Sequence, residues 1–94
     1  MSAHADDETL AGLRAQIDEA DREILAAFLH RLDVARQVRR HKDEHGYTFV
    51  DAGREQELLD RWIAAADGAL PDETVRELFE TVLALSKREA SRED

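Results

Sequence analysis

The sequence predicts an all-α fold of three helices, the first of them much longer than the other two. The 94 residues include one Pro and four Gly, so few turns interrupt the chain, and no segment shows the alternation of apolar and polar residues that is typical of a strand. Hydrophobic residues make up 43% and charged residues 37%, a composition that suits helices with charged outer faces. We expect one domain, residues 1–94, with its core between about residues 8 and 90.

The first predicted helix extends from about Glu8 to His45. Its residues are mostly Ala, Leu, Arg, Glu and Asp, with no Pro and no Gly after Gly12, and Gly46 provides a C-terminal stop. About 36 helical residues span roughly 54 Å. A compact bundle prefers helices of matched length, so we expect this helix to pair with its copy in a second chain.

The two later helices are shorter. The second covers residues 51–66, and Gly68 ends it. Pro71 and Asp72 open the third, which continues to about Ala90. The apolar residues of the third helix are Val75, Leu78, Phe79, Val82, Leu83 and Leu85.

Charge and composition exclude several classes of function. The formal net charge of −9 argues against a nucleic-acid partner, because phosphate binding needs a basic surface. The absence of Cys excludes disulfides, thiolate zinc sites and cysteine nucleophiles, and the four His are too scattered to predict a metal site. With no apolar run near the length of about 18 residues that a membrane span needs, and no signal peptide, we expect a soluble cytoplasmic protein.

Three cations share one face of the first helix with apolar residues. Steps of three and four residues along this helix give Arg14, Ile17, Asp21, Ile24, Phe28, Arg31, Ala35, Val38 and Lys42. A buried cation without a partner is costly, so Arg14, Arg31 and Lys42 either extend their charged ends to water or meet an anion. The second interpretation predicts an anion-binding site on this face.

The spacing of these cations suggests what the anion would be. Arg31 and Lys42 are eleven residues apart, about 16 Å along the helix axis, and their long side chains can hold the two ends of one small dianion. Arg14 lies roughly 26 Å from that site along the same helix. It can reach the site only from a second chain, in an antiparallel dimer.

The start of the second helix carries three charges that can face the same site. Asp51, Arg54 and Glu55 follow the first helix after a short loop, and so fold back near Lys42. Arg54 would add a cation, and Glu55 would accept a hydrogen bond from a ligand hydroxyl. The alternative is purely structural: Asp51 or Thr48 caps the helix, and Arg54 makes a surface ion pair.

In combination, these segments resemble the all-helical chorismate mutases of the AroQ class. The resemblance runs from about Leu10 to Glu89 and rests on "LRAQIDEADREILAAFLHR", "VRRHK", "VDAGREQELL" and "LFETVLALS". It implies an intertwined, all-α homodimer in which each active site takes an Arg from the partner chain. It also implies the conversion of chorismate to prephenate, an intramolecular rearrangement that uses no metal or cofactor.

The resemblance further implies roles for individual residues. Arg31 and the partner's Arg14 would bind the two substrate carboxylates, and Lys42 would donate to the ether oxygen and to a carboxylate. Asp51 and Glu55 would hold the ring hydroxyl. Arg54 would support a carboxylate and orient Glu55. The positions that match pocket-lining residues of the family are Val38, Leu58, Leu83 and Ser86.

One position departs from the family pattern. Four residues after Ser86, where the family usually has a Gln or Glu that gives a second hydrogen bond to the ether oxygen, this chain has Ala90. Glu89 is adjacent, but one residue rotates a helical side chain by about 100°. Either a local irregularity brings Glu89 into the site, or a donor is missing there.

Four interpretations therefore stay open from the sequence. The first is a chorismate mutase. The second is a mutase for 4-amino-4-deoxychorismate in secondary metabolism, whose substrate ammonium would lie near Glu55. The third, less favoured because the Asp-x-x-Arg-Glu segment resembles the mutases, is an isochorismate-pyruvate lyase. The fourth is a non-catalytic helical dimer that regulates a partner enzyme of the shikimate pathway, which Ala90 favours.

Overall fold

A computed structural model describes residues 7–47 and 51–92, and within them it confirms the three predicted helices. These are α1 (Glu8–His45), α2 (Ala52–Ala66) and α3 (Asp72–Ala90). The described residues contain no strand. None of the helices in these two segments is both long and apolar enough to cross a membrane.

Local sequence signals explain both ends of α2. Asp51 is the N-cap, and its side chain accepts a hydrogen bond from the backbone N–H of Arg54, so one of the two predicted caps is present. The other, Thr48, lies outside the described residues. At the C-terminal end Asp67 takes a left-handed conformation with φ of 47°, and Gly68 follows with φ of 78°. The helix therefore ends at Ala66 as predicted, and the left-handed turn begins at Asp67, one residue before the predicted Gly68, because Asp tolerates this conformation better than most residues do.

The described residues form two compact units that meet at the peptide bond between His30 and Arg31. In the N-terminal unit no described residue is buried, and the predicted stripe of apolar side chains is largely exposed. Ile17 is 59% exposed and Ile24 is 67% exposed. Within its own unit this apolar surface is not covered, and the single domain over residues 1–94 stays a prediction.

The C-terminal unit contains the hydrophobic core. Leu59 of α2 and Val75 and Phe79 of α3 are buried. The rings of Trp62 and Phe79 meet edge to face, with centroids 5.2 Å apart and an interplanar angle of 71°. This is a favoured geometry for two aromatic rings and fixes how α2 packs on α3.

Two arginines of α1 hold the C-terminal end of α3. An Nη atom of Arg39 donates to the carbonyl oxygen of Ala90 at 2.7 Å, and one of Arg36 donates to that of Glu89 at 3.5 Å. The last carbonyl groups of a helix lack partners within the helix and carry partial negative charge, so guanidinium groups suit this position. These contacts bring α1 and α3 together beside the site described below.

We expect Phe79→Ala to lower the free energy of unfolding by about 3–5 kcal/mol, because it leaves a cavity beside Trp62 in a small core. Urea denaturation at one fixed protein concentration, followed by Trp62 fluorescence, measures this loss. Glu80→Ala changes an exposed neighbour on the same helix and is the matched control. A loss below about 1 kcal/mol in Phe79→Ala would contradict this account of the core.

Candidate active site

The C-terminal unit contains a cavity of about 320 Å³ between the second half of α1, the first turns of α2 and the last turns of α3. This volume is in the range of small-molecule sites. Its lining residues are Arg31, Val34, Ala35, Val38, Lys42, Asp51, Arg54, Glu55, Leu58, Leu83, Ser86 and Lys87.

The structure brings together every predicted site residue except Arg14. Arg14 belongs to the N-terminal unit, where it is exposed, and it does not line the cavity. Three lining residues were not among the predicted ones: Val34, Ala35 and Lys87. Ala35 belongs to the face of the first helix that steps of three and four residues predict, so that spacing was a signal for it, and Val34 is its immediate neighbour.

The cavity is electropositive although the protein is acidic. Four cationic side chains line it against two carboxylates, a formal charge of +2, whereas the whole chain has −9. The cations are Arg31, Lys42, Arg54 and Lys87, and the carboxylates are Asp51 and Glu55. Between them lie apolar walls from Val38, Leu58 and Leu83. This arrangement suits a small organic anion with an apolar body.

Arg31 is held in place by α3. Its Nη1 donates to Oγ of Ser86 at 2.6 Å, and Ser86 Oγ in turn donates to the carbonyl oxygen of Val82 at 2.7 Å. Ser86 is 2% exposed, so its hydroxyl is a fixed anchor. Burial lowers the pKa of the Arg31 guanidinium, but an arginine remains charged in proteins. The chain thus holds a half-buried, oriented cation in the wall of the cavity.

Lys42 lies on the same cavity wall as Arg31, in the last turn of α1. Its side chain is half-buried, which favours a strong interaction with a bound anion because less water screens the charge. The negative end of the α1 dipole also favours a cation at this position.

The first turn of α2 combines the helix cap that the sequence allowed with three side chains that line the cavity. Asp51 caps the helix, and its backbone oxygen accepts from the N–H of Glu55 at 3.1 Å. Arg54 makes an exposed ion pair with Glu57, with Nη1 and Oε2 3.4 Å apart. Asp51, Arg54 and Glu55 nevertheless all line the cavity. The cap thus holds the turn in the conformation that presents these residues.

Glu55 is paired with a residue that sequence analysis missed. The ammonium of Lys87 donates to Oε1 of Glu55 at 2.5 Å, which links α2 to α3 across the cavity. Lys87 directly follows Ser86, and a rotation of about 100° per residue would direct a short side chain elsewhere. Its four-carbon stem reaches back into the cavity. Two features of the sequence could have indicated Lys87. It is a long cation next to Ser86, a predicted pocket position, and Glu55 was a predicted site carboxylate with no assigned cation.

Neither Ala90 nor Glu89 reaches the cavity. Ala90 is fully buried at the end of α3, and α3 is a regular helix through that residue. The Glu89 carboxylate is in ion pairs with Arg88 and Arg92, at 3.0 and 3.3 Å. Glu89 therefore does not replace the Gln or Glu of the family pattern, and the local irregularity near the chain end is not observed.

The described residues hold no group of three or more His, Asp or Glu side chains that could bind a metal ion. The rings of His41 and His45 contact each other at an interplanar angle of 33°, with centroids 4.2 Å apart, and Nδ1 of His45 lies 2.8 Å from the carbonyl oxygen of His41. These contacts explain the placement of the two histidine rings without a bound ligand.

Comparisons with known proteins identify the family to which the chain is similar. The family model of chorismate mutase type II matches residues 13–91. The chain is similar to form I of the chorismate mutase structure from Thermus thermophilus, with 34% identity over 84% of this chain and 99% of that chain and a TM-score of 0.79. It is similar to form II from the same organism, with 33% identity over 93% of this chain and 99% of that chain and a TM-score of 0.85. Comparison with curated proteins gives no significant match.

The family match covers most of the chain, and both structural matches extend over nearly the whole of the relatives. The resemblance first suggested by the sequence motifs is thereby confirmed, together with the all-α fold. The chain belongs to the chorismate mutase type II family, and so to the isomerases of the chorismate mutase type.

Proposed function

We propose that this protein converts chorismate to prephenate in the cavity between α1, α2 and α3. The observation that carries the proposal is the positively charged cavity in which Arg31 and Lys42 lie along one wall and Glu55 faces from another helix. Chorismate is a compact dianion with a ring hydroxyl, so it offers one partner for each of these groups. The family match supports the same reaction.

The reaction is an intramolecular Claisen rearrangement. One C–O bond breaks while one C–C bond forms, so the substrate and the product have the same atoms and no electrons are exchanged with the protein. Side chains therefore contribute by holding a compact conformer and by stabilising charge. The apolar walls from Val38, Leu58 and Leu83 suit the first task, because they restrict the space open to the enolpyruvyl side chain.

We propose that Lys42 stabilises the negative charge that develops on the ether oxygen as the C–O bond breaks. Its ammonium can donate to that oxygen and to a neighbouring carboxylate, because it has three N–H groups. Its half-buried position strengthens this interaction in the transition state. Arg31, held by Ser86, binds a substrate carboxylate.

We propose that Glu55 and Asp51 bind the ring hydroxyl of the substrate. Glu55 offers carboxylate oxygens to the hydroxyl proton, and Asp51 contributes from the N-cap of the same helix, through its backbone or its side chain. Arg54 supports a carboxylate and orients Glu55. Ser86 contributes by holding the guanidinium of Arg31.

We further propose an intertwined homodimer with shared active sites. The support is the exposed apolar stripe of the N-terminal unit, which includes Ile17 and Ile24, because exposed apolar surface of this kind is typical of a protein interface. In this assembly Arg14 of the second chain binds the other substrate carboxylate. The proposed reaction also implies that the protein acts in aromatic amino acid biosynthesis in the cytoplasm.

Two other functions keep a specific observation in their favour. The absence of a donor at Ala90 favours a non-catalytic dimer that regulates a partner enzyme of the shikimate pathway. A carboxylate at Glu55 fits a mutase for 4-amino-4-deoxychorismate, because that substrate has an ammonium group in place of the hydroxyl. The four cationic side chains that line the cavity argue against the regulatory dimer.

The test is turnover of chorismate and, separately, of 4-amino-4-deoxychorismate by the purified protein, followed by loss of diene absorbance and identification of the product. We expect chorismate to give prephenate at the higher kcat/KM. A higher kcat/KM for 4-amino-4-deoxychorismate would instead support a mutase for that substrate. No turnover of either would overturn the enzyme proposal.

We expect Ser86→Ala to lower kcat/KM for chorismate by roughly 10- to 100-fold, since a hydrogen bond to a charged group contributes about 1.5–3 kcal/mol. Steady-state kinetics measures the change, which falls mainly on KM if Arg31 binds the ground state. Ser91→Ala, at the exposed C-cap of α3, is the control. Unchanged kinetics in Ser86→Ala would show that Arg31 does not need this anchor.

A further inference from the structure

The ion pair between Lys87 and Glu55 has a consequence for which substrates the cavity accepts. Both side chains line the cavity, and they are only partly exposed, 36% for Lys87 and 28% for Glu55. Their contact joins the last turns of α3 to the first turn of α2. The carboxylate that would meet the ring substituent of the substrate is thus already paired with a cation of the protein.

The pair leaves Glu55 able to accept a further hydrogen bond. Oε1 takes the Lys87 ammonium, and a carboxylate offers about four lone-pair sites on its two oxygens. A neutral hydroxyl of the substrate can use one of the remaining sites. A hydroxyl also meets no repulsion from the nearby ammonium, and its own oxygen can accept from it.

A cationic substituent next to Glu55 interacts less favourably with the ion pair than a hydroxyl does. If it bonds the carboxylate of Glu55, it lies within a few ångströms of the Lys87 ammonium, because both contact the same carboxylate group. Two like charges at this distance repel, and partial burial weakens the screening by water. The favourable charge of Glu55 is also largely offset by Lys87.

We propose that Lys87 is a specificity-determining residue that selects a neutral hydroxyl over an ammonium group on the substrate ring, next to Glu55. The proposal rests on the proposed function and deepens it, because it names the feature of this cavity that separates chorismate from 4-amino-4-deoxychorismate. Discrimination here comes from a repulsive charge against the wrong substrate as much as from attraction to the right one.

The test compares kcat/KM for chorismate and for 4-amino-4-deoxychorismate in the wild-type protein and in three variants. Lys87→Met removes the charge at similar length, and we expect the ratio of the two values to move towards the amino compound by at least about 10-fold. Lys87→Arg keeps the charge and should keep the ratio near that of the wild type. Arg88→Met removes a neighbouring cation that pairs with Glu89 outside the cavity, and should leave the ratio unchanged.

An unchanged ratio in Lys87→Met, with helical content intact by circular dichroism, would overturn the proposal. So would a wild-type preference for the amino compound. If the wild type converts neither compound, the proposed function fails, and calorimetric binding of the two compounds to the same proteins then decides the role of Lys87. If Lys87→Met does not fold, Lys87→Gln, which keeps a hydrogen-bond donor without the charge, takes its place in the same comparison.

Discussion

Lys42→Ala is expected to lower kcat for chorismate by about 10²- to 10³-fold or more, with a smaller effect on KM. Removing one donor aimed at a developing oxyanion has effects of this size, because the interaction is strongest in the transition state. In this cavity Lys42 is half-buried and lies on the same wall as the anchored Arg31, so water cannot fully replace its charge. Steady-state kinetics of the purified variant measures the loss.

The control for Lys42→Ala is Arg40→Ala, which removes an exposed cation from the same turn of α1 outside the cavity lining. It changes the net charge by the same amount and should leave kcat within about twofold, since an exposed charge outside the cavity lining is screened by water and has a small effect. A Lys42→Ala variant that kept its kcat and raised only KM would show that Lys42 binds substrate without acting on the ether oxygen.

Mixed dimers of Arg14→Ala and Lys42→Ala chains are expected to regain about half of the wild-type activity, although each variant alone is nearly inactive. In the proposed dimer every site takes Lys42 from one chain and Arg14 from the other. A mixed dimer therefore has one site with both cations and one site with neither. Co-expression with two different affinity tags yields the mixed dimer, and its kcat per dimer is then compared with that of the wild type.

A second mixed dimer separates shared sites from a general effect of mixing. In the proposed dimer Arg31 and Lys42 of one chain belong to the same site. Arg31→Ala and Lys42→Ala chains therefore damage both sites of a mixed dimer, and we expect no recovery. Equal recovery in the two mixtures, or recovery in neither, would contradict sharing through Arg14.

The helices could be predicted from sequence because their signals are local. A run of strong helix formers without Pro, left-handed Gly46 after α1, the Asp51 cap and the Pro71–Asp72 start each act within a few residues. The predicted ends agree with the observed helices to within a residue. At the end of α2 the left-handed conformation begins at Asp67, one residue before the predicted Gly68, and both residues adopt it because Asp and Gly tolerate positive φ.

The sequence by itself determined the three helices and the face of α1 that carries Arg31, Val38 and Lys42, since helical periodicity decides which side chains share a face. The resemblance to the family, rather than periodicity, indicated Leu58, Leu83 and Ser86. The tertiary structure alone decided that Lys87 pairs with Glu55, that Ser86 holds Arg31 and that Glu89 lies away from the cavity. These contacts join residues more than thirty positions apart or depend on where a long side chain reaches. Periodicity assigns a residue to a helix face, but it does not specify the rotamer or the partner on another helix.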